Sequence, residues 1–209
     1  MDELTVRAGN PKPIIGLIGG IGAGKSRVSQ AFEKYGAMVL NADRIGHEAY
    51  EDPAIAARVL ARWGDRIADP AGTIDRRKLG AIVFASPVER VSLEHIVFPF
   101  IEARIARRIR ETANDPAIRL IVLDAAVMLE AGWGSICDRI VYVDTPRAIR
   151  LERIARDRGW SVEDVAARES AQYSLTWKAT VADAAIDNSG SEAVLERQVD
   201  QLIRGWALA

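Results

Sequence analysis

Eight consecutive residues carry the clearest chemistry in this sequence. Gly19-Gly20-Ile21-Gly22-Ala23-Gly24-Lys25-Ser26 fits the spacing G-x-x-x-x-G-K-[ST]. Glycines at these positions let backbone N–H groups crowd around phosphate oxygens, and a helix starting at the loop's end aims its positive terminus at the same anion. Lys25 can reach the β- and γ-phosphates of a nucleotide as a point charge, while the Ser26 hydroxyl suits the Mg2+ ion that bridges them. That combination calls for ATP or a close relative. A bare glycine-rich turn would need no Lys-Ser pair at its end.

Such a loop works only between a strand and a helix, and the flanking residues supply both. Ile14 to Ile18 is a short apolar run entered from a proline and left through glycines, the pattern of a buried parallel strand. Ser26 to Tyr35 places Val28, Ala31 and Phe32 at helical spacing, and Gly36 stands where a helix stop is expected. A second apolar run, Ala37 to Leu40, delivers Asn41, Ala42 and Asp43 at its carboxyl end, where ligands of open α/β sheets gather. Leu120 to Leu123, Ile140 to Val143 and Ala184 to Ile186 are further short strand candidates, giving about five for one parallel sheet.

Between Arg44 and Asp115 the periodicity is helical, punctuated by Pro53, Gly64, Pro70, Gly72, Pro87 and Pro99, so this stretch reads as a helical insertion. Arg147 to Trp177 is a second helical stretch, arginine-rich, with a capping box from Ser161 to Asp164. Ser191 to Trp206 has the pattern of an amphipathic surface helix. The expected fold is α/β: a P-loop NTPase-type parallel five-stranded sheet flanked by helices, with a helical insertion.

Composition narrows the class. The chain has 209 residues, 49% of them hydrophobic, enough for one core with a modest insertion. Its 28 basic and 29 acidic residues nearly cancel, which argues against a nucleic-acid binder. One cysteine, Cys137, and two histidines exclude a disulfide framework and make a zinc site unexpected. The polar stretch Met1 to Pro13 does not read as a secretory signal, and no run approaches the roughly 18 apolar residues of a membrane span. A soluble, cytoplasmic protein is expected, with no nucleic-acid or membrane partner, as a monomer or weak homo-oligomer.

Gly16-Leu17-Ile18 followed by the glycine loop resembles the opening of dephospho-CoA kinases, and the resemblance runs from Pro13 to Gly190. Asn41-Ala42-Asp43 is similar to that family's D-A-D motif, and Leu93-Glu94-His95 through Phe98-Pro99 to the segment carrying its H-P pair. Leu123-Asp124 with Leu129-Glu130 resembles its D-x-P-L-L-F-E, and Arg168 to Gln172 its R-x-x-x-Q. Lys178, Ala182-Asp183 and Ile186-Asp187-Asn188-Ser189-Gly190 match its K, A-D and I-x-N-x-G. The departures are Asn41 for the first aspartate, Phe98 for the histidine, and Ala126-Val127-Met128-Leu129 for P-L-L-F.

The resemblance implies ATP and Mg2+ as cofactors and dephospho-CoA as the acceptor, phosphorylated at its ribose 3′-hydroxyl. Residues 13–43, 117–146 and 182–209 would form the nucleotide-binding core, 44–116 the acceptor-binding insertion and 147–181 a lid. Phosphorylating an alcohol needs a carboxylate near the acceptor oxygen, and the family's corresponding aspartate makes Asp43 the candidate base. An aspartate there also suits a helix N-cap. Asp124, closing its strand, is the candidate to hold magnesium with Ser26, although a strand-ending aspartate can be structural alone. Of the lid arginines, Arg153 and Arg168 are the candidates to meet transition-state charge, an effect of roughly three to five orders of magnitude in rate.

Arg156 and Arg158 fall about one position out of the family spacing, and a run of charges also suits a solvated helix face. Gly20, Ile21, Gly22, Ala23, Gly24, Lys25, Ser26 and Arg153 would bind the nucleotide's phosphates, while Asn188 and Gly190 would meet its adenine. The same Asn-Ser-Gly sequence also makes a plain turn. Phe84, Phe98, Phe100 and Ile101 could line the acceptor groove or simply fill a core, and His47 and His95 read as structural or surface residues. Another small-metabolite kinase on the same scaffold, or a nucleotide-binding module with decayed catalysis, are the competing readings.

Overall fold

The structure, a computed structural model, describes residues 10–208; most of the polar N-terminal stretch therefore lies outside the described residues. The chain forms two compact units, one of residues 10–41 with 106–208 and one of residues 42–105. The first is built on five parallel strands, β1 (Ile14–Gly19), β2 (Ala37–Asn41), β3 (Leu120–Asp124), β4 (Arg139–Asp144) and β5 (Ala184–Asp187), in the order β2-β3-β1-β4-β5. Each is one or two residues longer than its apolar run predicts. The additions at the carboxyl ends, Gly19, Asn41, Asp124, Asp144 and Asp187, are polar or glycine, because there the ladder reaches the edge where ligands, not core, are the neighbours.

Parallel strands are covered on both faces, and so read as unbroken apolar runs. Ile15, Leu17, Leu120, Val122, Val141, Val143 and Ile186 face one core. That core is completed by α1 (Lys25–Glu33) through Val28, Ala31 and Phe32, and by the C-terminal helix Glu192–Gly205 through Leu195, Val199 and Ile203. The terminal helix is amphipathic as its pattern predicts, with its buried residues recurring every four positions. Helix α1 begins at Lys25 and ends at Glu33, followed by a turn to Gly36 in the left-handed region at φ 78°.

The unit of residues 42–105 is helical. It contains α2 (Ala42–Glu48), α3 (Pro53–Trp63), α4 (Arg76–Ala85) and most of α5 (Pro87–Thr112), which ends in the first unit. Asp52 and Asp75 cap α3 and α4, each accepting two backbone N–H bonds, and Pro53 supplies the fixed φ that suits a first helical turn. Two expectations are corrected here. Pro99 does not punctuate the chain but lies inside the 26-residue α5; it costs one backbone bond, while burial of Ile96, Val97, Ile101 and Ile105 holds the helix across it. Asp43 is not at a strand end but is the second residue of α2, in its first turn, where the helix dipole favours a carboxylate.

Of the four apolar residues considered for an acceptor groove, Ile101 is buried, Phe98 and Phe100 are half-buried and Phe84 is exposed; Arg104 stacks 5.3 Å from the Phe100 ring. His47 and His95 are exposed. Residues 147–181 form three helices rather than one stretch: α6 (Arg147–Arg158), α7 (Val162–Glu169) and α8 (Leu175–Val181). Gly159 ends α6 in the left-handed region, and the expected capping box opens α7, with Asp164 N–H donating to Ser161 Oγ and Ser161 N–H to the Asp164 carboxylate, both at 3.1 Å. The terminal helix is α9 (Glu192–Gly205).

Candidate active site

The glycine loop leaves β1 and enters α1 through Gly22 at φ 78° and Gly24 at φ 81°, conformations that a side chain would strain, so the two glycines set the loop's path. What holds that path is a set of donors on its carbonyls. The Ala23 carbonyl accepts from Asn188 Nδ2 at 2.7 Å, Thr145 Oγ1 at 3.0 Å and Arg153 at 3.4 Å. Gly24 O accepts from Asn188 Nδ2 at 3.3 Å, and Ile21 O from Arg150 at 3.0 Å. A peptide's C=O and N–H point in opposite directions, so carbonyls tied down toward β4, β5 and α6 turn the loop's amides the other way. With no side chain capping the first turn of α1, its free N–H groups add to the same anion-attracting face.

At the edge of this loop Ser26 Oγ donates to Asp124 Oδ2 at 3.3 Å. The parallel register sets Asn41 opposite Asp124, and the Asn41 amide donates to the same carboxylate oxygen at 3.3 Å. An aspartate at position 41 would put two carboxylates side by side; asparagine replaces that repulsion with a hydrogen bond. Ser26 and Asp124 are hard oxygen donors in contact, the small protein share of coordination that magnesium takes when nucleotide phosphates and water supply the rest. No cluster of three or more His, Cys, Asp or Glu suited to a metal occurs among the described residues.

Thus residues 20–26, Asp124, Arg153, Asn188 and Gly190 come together around one loop. Arg153 donates to the carbonyls of Ala23 and, at 2.8 Å, of Asn188. Asn188 is 1% exposed and its side chain is committed to the loop, since its Oδ1 also accepts from Arg27 at 2.9 Å. Arg27 donates in turn to the Gly190 carbonyl at 3.1 Å. Asn188 is thus a brace behind the loop rather than a side chain presented to a base.

Arg168 is engaged within its own helical segment: it donates to the Asp164 carbonyl at 2.9 Å and lies 3.9 Å from the centroid of the Trp160 ring, which Arg158 also approaches at 4.8 Å. Arg156 is exposed and bonded to Asp157. Asp43 is exposed and belongs to the unit of residues 42–105.

Three participants carried no role in the sequence. Thr145 follows β4 at its carboxyl end and is 4% exposed, and Arg150 is 3% exposed against the loop. Their signal was positional: Arg150 is three residues before Arg153, on the same helix face. The third is a buried cluster behind the site. Lys178, 1% exposed, donates to Gln172 Oε1 at 3.0 Å and pairs with Glu130 Oε1 at 3.1 Å, which also accepts from Tyr173 N–H at 2.7 Å. Burial holds the Lys178 ammonium below its ordinary pKa; Glu130 opposes this, and the nearby positive charge of Lys25 adds to it.

A parallel sheet in this order, with a strand, a glycine loop ending in Lys-Ser and a helix, and an aspartate from the adjacent strand on the serine, defines a P-loop kinase fold. Within that class, the dephospho-CoA kinase family model matches residues 13–193. The dephospho-CoA kinase of Bacillus licheniformis is 38% identical over 195 residues, spanning 93% of this chain and 96% of that protein. A Thermus thermophilus protein of known crystal structure aligns with a TM-score of 0.78 and 29% identity, over 93% of this chain and 97% of that one. The Campylobacter jejuni dephospho-CoA kinase, at TM-score 0.59 and 22% identity over 93% of this chain and 97% of its own, shares the fold. The chain belongs to the dephospho-CoA kinase family.

Proposed function

We infer that this chain transfers the γ-phosphoryl group of ATP to the ribose 3′-hydroxyl of dephospho-CoA, releasing coenzyme A and ADP. The observation that carries the reading is a family match over residues 13–193 that includes the complete phosphate loop with Ser26 already in contact with Asp124. Lys25 neutralises charge on the β- and γ-phosphates, and the loop amides hold their oxygens. Ser26 and Asp124 would hold magnesium, which would supply positive charge against the charge developing on the leaving group. Asp43 accepts the acceptor's hydroxyl proton, and residues 44–116 hold the acceptor.

Residues 147–181 serve as the lid, with Arg153 at the loop and Arg168 brought to the phosphoryl group during turnover. The turn Asn188 to Gly190 supports adenine through its backbone, its asparagine side chain being committed elsewhere. A cytoplasmic setting suits this chemistry, and no helix among the described residues is long and apolar enough to cross a membrane.

The test is ATP- and magnesium-dependent turnover of dephospho-CoA, with the product checked for one added phosphoryl group, beside adenosine, pantetheine and nucleoside monophosphates. Selective turnover of dephospho-CoA is expected, with kcat lowered about 10²- to 10⁴-fold in Asp43→Asn and nucleotide binding retained. A folded protein that binds ATP but leaves dephospho-CoA unchanged would overturn the assignment. A fully active Asp43→Asn would remove Asp43 from the role of base.

A further inference from the structure

We propose that Arg150 is a positioning residue for phosphoryl transfer: anchored by Glu169, its guanidinium grips the phosphate loop at Ile21 and makes the loop's shape depend on the docking of α7. This rests on the nucleotide-binding role of the loop proposed above. A buried guanidinium cannot shed its charge and must be paired. Arg150 has a side chain only 4% exposed, and one nitrogen of its fork donates both to Ile21 O at 3.0 Å and to Glu169 Oε1 at 2.7 Å.

The fit to the loop is close on two sides. A methyl group at Gly20 would lie 2.7 Å from the Arg150 fork and 3.0 Å from its central carbon, and one at Gly22 would lie 2.7 Å from the Arg150 carbonyl. Glycine at position 20 is therefore required for the approach of this side chain. Its Nε is buried with no acceptor, so the orientation of the guanidinium is dictated by Ile21 and Glu169 and not by satisfaction of every donor. Arg147 lies 3.6 Å from the other oxygen of Glu169, so this last residue of α7 fastens two positions of α6 as well as the loop.

The carbonyl that Arg150 holds belongs to the residue preceding Gly22, whose left-handed turn reverses the loop. Releasing it lets the peptide between residues 21 and 22 rotate and turns its N–H away from the phosphates. Among the described residues, the polar partners of the Glu169 carboxylate are Arg150 and Arg147 and not loop atoms, which makes it the informative position: a change there is relayed to the nucleotide by Arg150.

The experiment measures ATP affinity by calorimetry and steady-state kinetics for Arg150→Gln, Glu169→Gln and the double variant, with melting temperatures alongside. Glu169→Gln, three-quarters buried and isosteric, is the variant that keeps the fold testable if Arg150→Gln does not fold. The expected result is about a tenfold to hundredfold weaker ATP binding in each single variant, the range for losing a charge-assisted bond, with the KM for the acceptor unchanged. The double variant should be no worse than the more affected single one.

Lowered melting temperatures with ATP affinity and kcat at wild-type values would assign the pair to stability alone and overturn the proposal, as would effects that simply multiply. ATP affinity is read without an acceptor, so failure of the wild type to phosphorylate dephospho-CoA would count against the proposed function and leave this test standing.

Discussion

At the residue scale, Asn188 shows how a polar side chain can be spent entirely on positioning. Its amide nitrogen holds the carbonyls of Ala23 and Gly24 and its oxygen holds Arg27, so Asn188→Ala removes three hydrogen bonds from a buried position, with Thr145 and Arg153 still on the Ala23 carbonyl and Arg27 still on that of Gly190. A loss of about 1–3 kcal/mol is expected, together with weaker ATP binding, checked by denaturant unfolding and nucleotide titration. Its neighbour Asp187 gives a pH signature. Hydrogen bonds from Ser189, first its side chain and then its backbone N–H, hold the Asp187 carboxyl below its ordinary pKa. The stabilisation is then present above the unfolded aspartate's pKa and lost as pH falls through the lower, folded value. Asparagine does not titrate, so the melting-temperature advantage of wild type over Asp187→Asn should be full at pH 7 and close as the solution is acidified through that window.

At the scale of elements, the segment after β3 is tied to the last turn of α8 by the buried pair of Lys178 and Glu130. Removing one partner leaves the other charge buried, so Lys178→Met is expected to cost about 3–5 kcal/mol, and the double variant with Glu130→Gln less than the sum of the singles, measured by urea unfolding. Local signals at this scale were readable in the chain. The box at Ser161 and Asp164 is encoded within four residues and is read from them, whereas the caps Asp52 and Asp75, which precede their helices just as directly, emerge only with the structure. Pro99 was misleading, because its local cost is outweighed by apolar burial along the rest of α5, which no short window contains.

For the molecule as a whole, the loop belongs to one compact unit and Asp43 to the other, so the nucleotide-binding and proton-accepting roles proposed for them can be tested separately. A ligand that binds only the folded state stabilises by about 2.7 kcal/mol at a hundred times its Kd, a rise of about 5–10 °C for a domain of this size. ATP with magnesium should produce that rise in wild type and in Asp43→Asn but not in Lys25→Ala, read by thermal shift. Loss of the rise in Asp43→Asn would tie that residue to nucleotide binding instead.

The sequence by itself determined the phosphate loop, the five strands and the helix around each apolar stripe, since these are set by spacing within a few residues: glycines where φ must be positive, Lys-Ser at the helix start, a short unbroken apolar run for each buried strand. It did not determine the strand order or who holds the loop. Those depend on partners 129 positions apart for Arg150 and Ile21 and 165 apart for Asn188 and Ala23. Only the packed sheet brings the carboxyl ends of β4 and β5 and the face of α6 behind the loop, so an arginine that reads as one of many surface charges becomes a buried grip, and an asparagine that reads as a turn becomes a brace.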